Sequence, residues 1–169
     1  MPSFVLDTNV VLFAVNSENC PEAYGNTPSE IMKLMLESED NKILVDTSGD
    51  ADNGSLILDE YLKNLRMEVP DGNARQLLKI IQGDMNKGRS CSKLIIWDDP
   101  IDSSEVEEFK ENGFHEQDLI FLRIAPQCST DILISCDGES IVNDEFRSDA
   151  EDNLDLDIKE PTEVPEELE

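Results

Sequence analysis

Carboxylates are the chemically capable residues of this chain, and four of them, Asp7, Glu60, Asp118 and Asp137, fall where a fold could gather them. Asp7 follows a short apolar run at residues 4–6, and Asp137 follows another at residues 132–136. If both runs are buried parallel strands, the two carboxylates emerge at one sheet edge, because ligands of open α/β sheets sit outside the carboxyl ends of the strands. Two carboxylates brought close together either raise one pKa or need a cation that keeps both ionised. Oxygen-rich sites of this kind suit Mg²⁺ or Mn²⁺.

Asp118 shares a helical face with Phe121, Leu122 and Ala125, so its carboxylate is directed toward the core, where it needs a partner. Asp59 and Glu60 border the two sides of an apolar face made by Ile57, Leu58, Tyr61, Leu62 and Leu65, and the helical spacing does not choose between them. Each acid also has a plain structural reading: Asp7 as a helix N-cap, Asp118 as a first-turn acid favoured by the helix dipole, Asp137 as a turn residue before Gly138. Asp46 and Asp98 also follow strand-like runs, and a structural role in turns is the expectation for both. The four cysteines, Cys20, Cys91, Cys128 and Cys136, form no CxxC pair, and His115 is the single histidine. Zinc-ligand spacing is therefore missing, and a histidine-based catalytic scheme has little to draw on.

Four apolar runs, at residues 4–6, 43–45, 93–97 and 132–136, read as buried strands, each followed by an aspartate. Helical patterns occupy residues 28–37, 56–65, 73–84, 104–110 and 116–125, and residues 16–26, 48–55 and 83–92 read as loops. Strands that alternate with helices call for crossover connections. The predicted fold is α/β, a three-layer α/β/α sandwich with a central, mainly parallel sheet. It occupies residues 1–147, and residues 148–169, rich in acids and containing Pro161 and Pro165, are expected to form a disordered tail.

The formal net charge of −26 opposes binding to a polyanion, which is usually held by Lys and Arg. Part of this charge is segregated, since residues 144–169 carry 12 Asp or Glu against Arg147 and Lys159. No apolar stretch is long enough to span a bilayer, and the opening MPSFVLDTNV lacks the basic start of a secretory signal, so a cytoplasmic location without membrane association is expected.

Taken in order, four blocks resemble the PilT N-terminus (PIN) domain nuclease family. Residues Phe4-Val5-Leu6-Asp7-Thr8-Asn9-Val10 are similar to that family's first strand and first acid, and Asp59-Glu60-Tyr61-Leu62 is similar to its helical second acid, which selects Glu60 over Asp59. The segment from His115 to Ala125 resembles the third block, with Asp118 as its acid, and Ile132-Leu133-Ile134-Ser135-Cys136-Asp137 resembles the fourth. The resemblance implies a metal-dependent nuclease, a ribonuclease ahead of a deoxyribonuclease, in which Asp7, Glu60, Asp118 and Asp137 hold Mg²⁺ or Mn²⁺ and activate water. Asn9, Lys63, Arg66 and Arg123 are the candidate contacts to nucleic acid. An aspartate-nucleophile phosphatase is disfavoured because Asn9 stands where that chemistry needs a second Asp. The competing expectation is a catalytically weak or inactive PIN-like binding module whose acidic surface and tail engage a basic protein partner.

Overall fold

The computed structural model describes residues 3–47, 55–64, 72–86, 94–97, 102–111, 113–125 and 131–164. Its strands are β1 (Ser3–Leu6), β2 (Lys42–Asp46), β3 (Leu94–Trp97), β4 (Asp131–Ile134) and β5 (Asp157–Lys159). All pair in parallel, in the order β3-β2-β1-β4-β5. The helices are α1 (Thr8–Val15), α2 (Thr27–Glu37), α3 (Leu56–Asn64), α4 (Asn73–Met85), α5 (Ser103–Glu111), α6 (Leu119–Ile124) and α7 (Asp144–Leu154). The architecture is the expected α/β/α sandwich: α1, α2 and α4 pack on one another, while α5 packs on α6 and α6 on β1 and β2.

Parallel strands covered by helices on both faces have no solvent side, which is why β1 reads as a continuous apolar run rather than an alternating one. Phe4, Val5 and Leu6 are all fully buried. From β1 the chain builds outward to β2 and β3, then returns to place β4 and β5 on the opposite flank. This reversal leaves a crevice at the carboxyl ends of β1 and β4, the position where doubly wound sheets bind ligands.

The four predicted strands and five predicted helices are present with small shifts at their ends. Residues 48–54 and 87–92, most of two expected loops, lie outside the described residues, whereas Gly83 belongs to α4 rather than to a loop. Helix α1 is not among the predicted helices. Its sequence, TNVVLFAV, is apolar around much of its circumference and rich in β-branched residues, so it carries neither a clear helical period nor a high helix propensity.

The largest correction concerns the C-terminal segment. Residues 148–164, expected to be disordered, continue α7, form β5 on the sheet, and end in a 3₁₀ turn at Pro161–Glu163. Ala150, Leu156, Ile158 and Val164 are buried, enough to anchor a segment whose average composition is acidic. Part of its charge is locally compensated. Arg147 donates to Glu151 Oε1 at 3.2 Å and to Glu163 Oε2 at 3.1 Å, and Glu151 Oε1 also accepts the Ile158 N–H at 3.0 Å. Glu160 and Glu163 close a reciprocal capping box around the last turn. Among the described residues no helix is long and apolar enough to cross a membrane.

Candidate functional site

Strand pairing places the first and fourth acids together. Leu6 is in register with Ile134, and the Asp7 N–H donates to the Ile134 carbonyl at 2.9 Å, so the chain leaves β1 and β4 side by side. Asp7 stands at the N-cap position of α1 but makes no capping hydrogen bond through its side chain. Its Oδ2 instead accepts the Ser135 hydroxyl at 2.8 Å, and Ser135 Oγ in turn accepts the Asp137 N–H at 3.0 Å. One serine thus joins the two acids.

Asp7 is almost fully buried, and burial raises its pKa to about 7; the Ser135 hydrogen bond opposes that rise, and the neighbouring charges of Asp118 and Asp137 add to it. The predicted helix at residues 116–125 divides into a 3₁₀ turn, Glu116–Asp118, followed by α6. Asp118 closes the turn with its side chain buried, and Phe121, Leu122 and Ala125 are buried as the helical spacing requires. Burial raises the Asp118 pKa, the Ser140 hydroxyl lowers it, and Asp137 raises it again. Asp137 is held by its own turn, where Oδ1 accepts the N–H groups of Glu139 at 3.0 Å and Ser140 at 3.1 Å. It is therefore both the turn residue and a member of the cluster.

Glu60 arrives on α3, which is fixed to the sheet at two points. Asp46, at the end of β2, accepts the Ser55 hydroxyl at 2.7 Å and the N–H groups of Leu56 and Ile57, each at 3.1 Å, and so caps α3 from a neighbouring strand. The buried Tyr61 hydroxyl donates to the Leu6 carbonyl, tying the middle of α3 to the residue before Asp7. Asp46 thus has a structural role, as the cap of α3 rather than as the turn residue expected; Asp98 lies outside the described residues. Replacing Asp46 by Ala is expected to cost roughly 2–3 kcal/mol, because it strands a buried hydroxyl and two helix N–H groups. A urea melt of the Asp46→Ala variant would check this.

Asp7, Glu60 and Asp118 line one cleft of about 150 Å³ with Thr8, Asn9, Leu12, Asn64, Gln117 and Phe121. Among the described residues, two buried side-chain polar atoms have no hydrogen-bond partner: Thr8 Oγ1 and Asp118 Oδ2. Both belong to residues lining this cleft. Buried polar atoms are nearly always paired, so two orphans at one crevice mark a place prepared for something else. The sequence matches no protein-family model and no curated protein. What the site can do therefore rests on its chemistry.

That chemistry favours a cation. Asp118 Oδ2 lies 3.6 Å from His115 Nδ1, and one donor atom from each of His115, Asp118 and Asp137 falls within 4.8 Å of the others. With Asp7 beside them, several acids crowd a partly dehydrated pocket, and a divalent ion would relieve their repulsion and satisfy the orphaned oxygen. His115, Ser135, Ser140 and Tyr61 were not among the sequence-derived site residues. Ser135 alone had a local signal, its place two residues before Asp137.

Of the candidate substrate contacts, Asn9 lines the cleft. Lys63 is exposed and stands 3.9 Å from Glu60 Oε2, so it sits at the rim. Arg123 acts on Asp102 and is not part of the cleft lining, and Arg66 lies outside the described residues. Among the described residues, no basic residue lines the cleft.

Proposed function

We propose that this crevice binds Mg²⁺ or Mn²⁺ and hydrolyses phosphodiester bonds, with RNA as the preferred polymer. The observation that carries the reading is the buried, unpartnered Oδ2 of Asp118, a residue that lines one cleft with Asp7, Glu60 and Thr8. The order and identity of the four acids, resembling the PIN family, supply the reaction class.

A divalent ion bound there would act as a Lewis acid, activating water and offsetting charge that develops on the phosphate. Asp7, Asp118 and Asp137 would hold it, and the more exposed Glu60 would reach it directly or through water. Ser135 keeps the Asp7 carboxylate oriented, and Ser140 does the same for Asp118 and for the Asp137 turn. Thr8 and Asn9 line the same cleft, and the unpartnered Thr8 Oγ1 and the Asn9 amide would orient a water or a phosphate oxygen. Among the described residues no basic side chain lines the cleft, so a bound cation would supply the attraction for phosphate there and make binding as well as chemistry metal-dependent. The free thiols Cys20 and Cys136 fit a reducing, cytoplasmic setting.

The test is cleavage of single- and double-stranded RNA and DNA with Mg²⁺ or Mn²⁺, against an EDTA control. Cutting is expected to leave 5′-phosphate ends and to fall at least about a hundredfold in Asp118→Asn, since disturbing even a supporting group of a metal site costs about 10–100-fold. Cyclic phosphate products, or cutting that survives EDTA, would refute the mechanism. The net charge of −26 favours one second reading, a binding module for a basic protein. Tight binding of such a protein by a folded chain that cuts nothing would support it.

A further inference from the structure

His115 is the single histidine of the chain, and the hydrolysis described above gives it no part. Its backbone is nevertheless held on both sides. Phe114 before it is buried, with its ring edge-on to Phe109 at 5.8 Å and tilted against Phe146 of α7 at 5.5 Å. Gly113 adopts φ +119°, and a Cβ there would come within 2.4 Å of the Phe146 ring, so the approach to His115 is fixed by a residue without a side chain. The His115 N–H donates to Ser140 Oγ at 3.2 Å, and the Ser140 N–H donates to Asp137 Oδ1.

This frame points the imidazole at two carboxylates. Nδ1 lies 3.6 Å from Asp118 Oδ2 and 3.8 Å from Asp137 Oδ2. Both distances exceed a hydrogen bond, and with the imidazole about half exposed a loose ion pair contributes little. The spacing does suit ligands around one ion: donors about 2.1 Å from a metal stand roughly 3.0 Å apart at a right angle and roughly 3.5 Å apart at the tetrahedral angle. The two distances to Nδ1 are up to a few tenths of an ångström longer than the latter, and the three donor atoms all lie within 4.8 Å of one another. Asp118 Oδ2, the nearer of these two oxygens to Nδ1, is the buried one that has no hydrogen-bond partner.

We propose that His115 Nδ1 is a metal ligand, forming with Asp118 and Asp137 a mixed nitrogen and oxygen site that takes Mn²⁺ or a later first-row ion in preference to Mg²⁺. This deepens the proposed function and rests on the same acids holding a cation. Mg²⁺ is hard, dehydrates reluctantly and is served by oxygen, whereas an imidazole donor adds affinity for transition metals. The histidine therefore sets which cation the site takes, and the carboxylates supply the charge.

The experiment loads the full chain with Mn²⁺ and looks by pulsed electron paramagnetic resonance for hyperfine coupling to a directly bonded nitrogen. Mn²⁺ and Mg²⁺ affinities are measured alongside for wild type, His115→Gln and Asp118→Asn, with circular dichroism confirming that each variant is folded. The coupling is expected in wild type and absent from His115→Gln, whose Mn²⁺ affinity falls at least about tenfold while Mg²⁺ affinity changes by less than about twofold. Saturable Mn²⁺ binding that Asp118→Asn abolishes but that shows no nitrogen coupling would overturn the ligand role of His115 and leave the acidic site standing. An equal loss of both metals in His115→Gln would overturn the selectivity. No saturable Mn²⁺ binding would overturn this proposal and the cation site together.

Discussion

A chain ending at Arg147 is expected to lose cooperative folding altogether. The cut removes most of α7 and all of β5, and with them the buried Ala150, Leu156, Ile158 and Val164. Burying a Leu, Ile or Val side chain stabilises by about 1.5–3 kcal/mol, so three of them rival the whole stability of an ordinary domain, about 5–15 kcal/mol. The cut also exposes the β4 edge, where the Ser135 N–H now donates to the Lys159 carbonyl at 3.0 Å, and Ser135 is the residue that holds Asp7. The truncated chain should show loss of near-ultraviolet dichroism, dye binding to exposed apolar surface, and no sigmoidal urea transition. A milder variant, Ile158→Ala, should cost about 2–5 kcal/mol and unfold cooperatively. An unchanged urea midpoint after truncation would mean that the segment is only an appendage.

That segment also shows where sequence reading stops. Averaged over residues 148–169, acids and prolines outweigh the few apolar residues, and composition points to disorder. The fold depends instead on a few isolated apolar side chains that become buried, Ile158 on the sheet edge among them, and on Arg147 reaching both Glu151 and Glu163. Neither is local in sequence. Strands β1 to β4 were legible for the opposite reason: each is a compact apolar run ended by a turn former, a signal complete within about five residues.

The second large effect is on the metal-free protein. Asp7→Asn is expected to stabilise it by on the order of 2–4 kcal/mol at about pH 8 in EDTA, because the wild-type carboxyl is costly to ionise in place. The folded pKa of Asp7 is raised from 3.8 to about 7, first by burial. Below the unfolded value both states are protonated and Asp7 carries no penalty. As the pH rises from about 4 to 7 the unfolded chain releases this proton before the folded one does, so stability falls across that window and stays low above it. The advantage of Asp7→Asn should therefore vanish near pH 4, and an amide oxygen can still accept the Ser135 hydroxyl. Saturating Mn²⁺ should reverse the order by stabilising wild type alone. Urea melts at three pH values, with and without metal, check all three statements; an advantage independent of pH would show that ionisation of Asp7 is not the cause.

Stability conceded at a site in this way is what a functional cluster leaves behind. Asp7 and Asp137 stand out in the sequence as strand ends and Asp118 as an acid on an apolar helix face, whereas only the family resemblance separates Glu60 from Asp59. The parts that aim these acids do not stand out. Tyr61 looks like one more apolar position of α3 until its hydroxyl is seen on the Leu6 carbonyl, and Ser140 is an ordinary turn residue until it is found between His115, Asp118 and Asp137. His115, the single histidine, has no metal-ligand spacing to any cysteine, and its approach to Asp137, 22 residues on, exists only in the folded chain.

The most direct test of the central claim is a titration of the full chain with Mn²⁺ in about 0.15 M salt, where loose association with the acidic surface is screened. Bound ion is measured by paramagnetic resonance for wild type, Asp7→Asn and Asp118→Asn. Saturable binding at one or two ions per chain, lost or weakened at least about tenfold in both variants, is the predicted result. Binding that never saturates, or that both variants retain, would contradict a metal site at the β1 and β4 crevice.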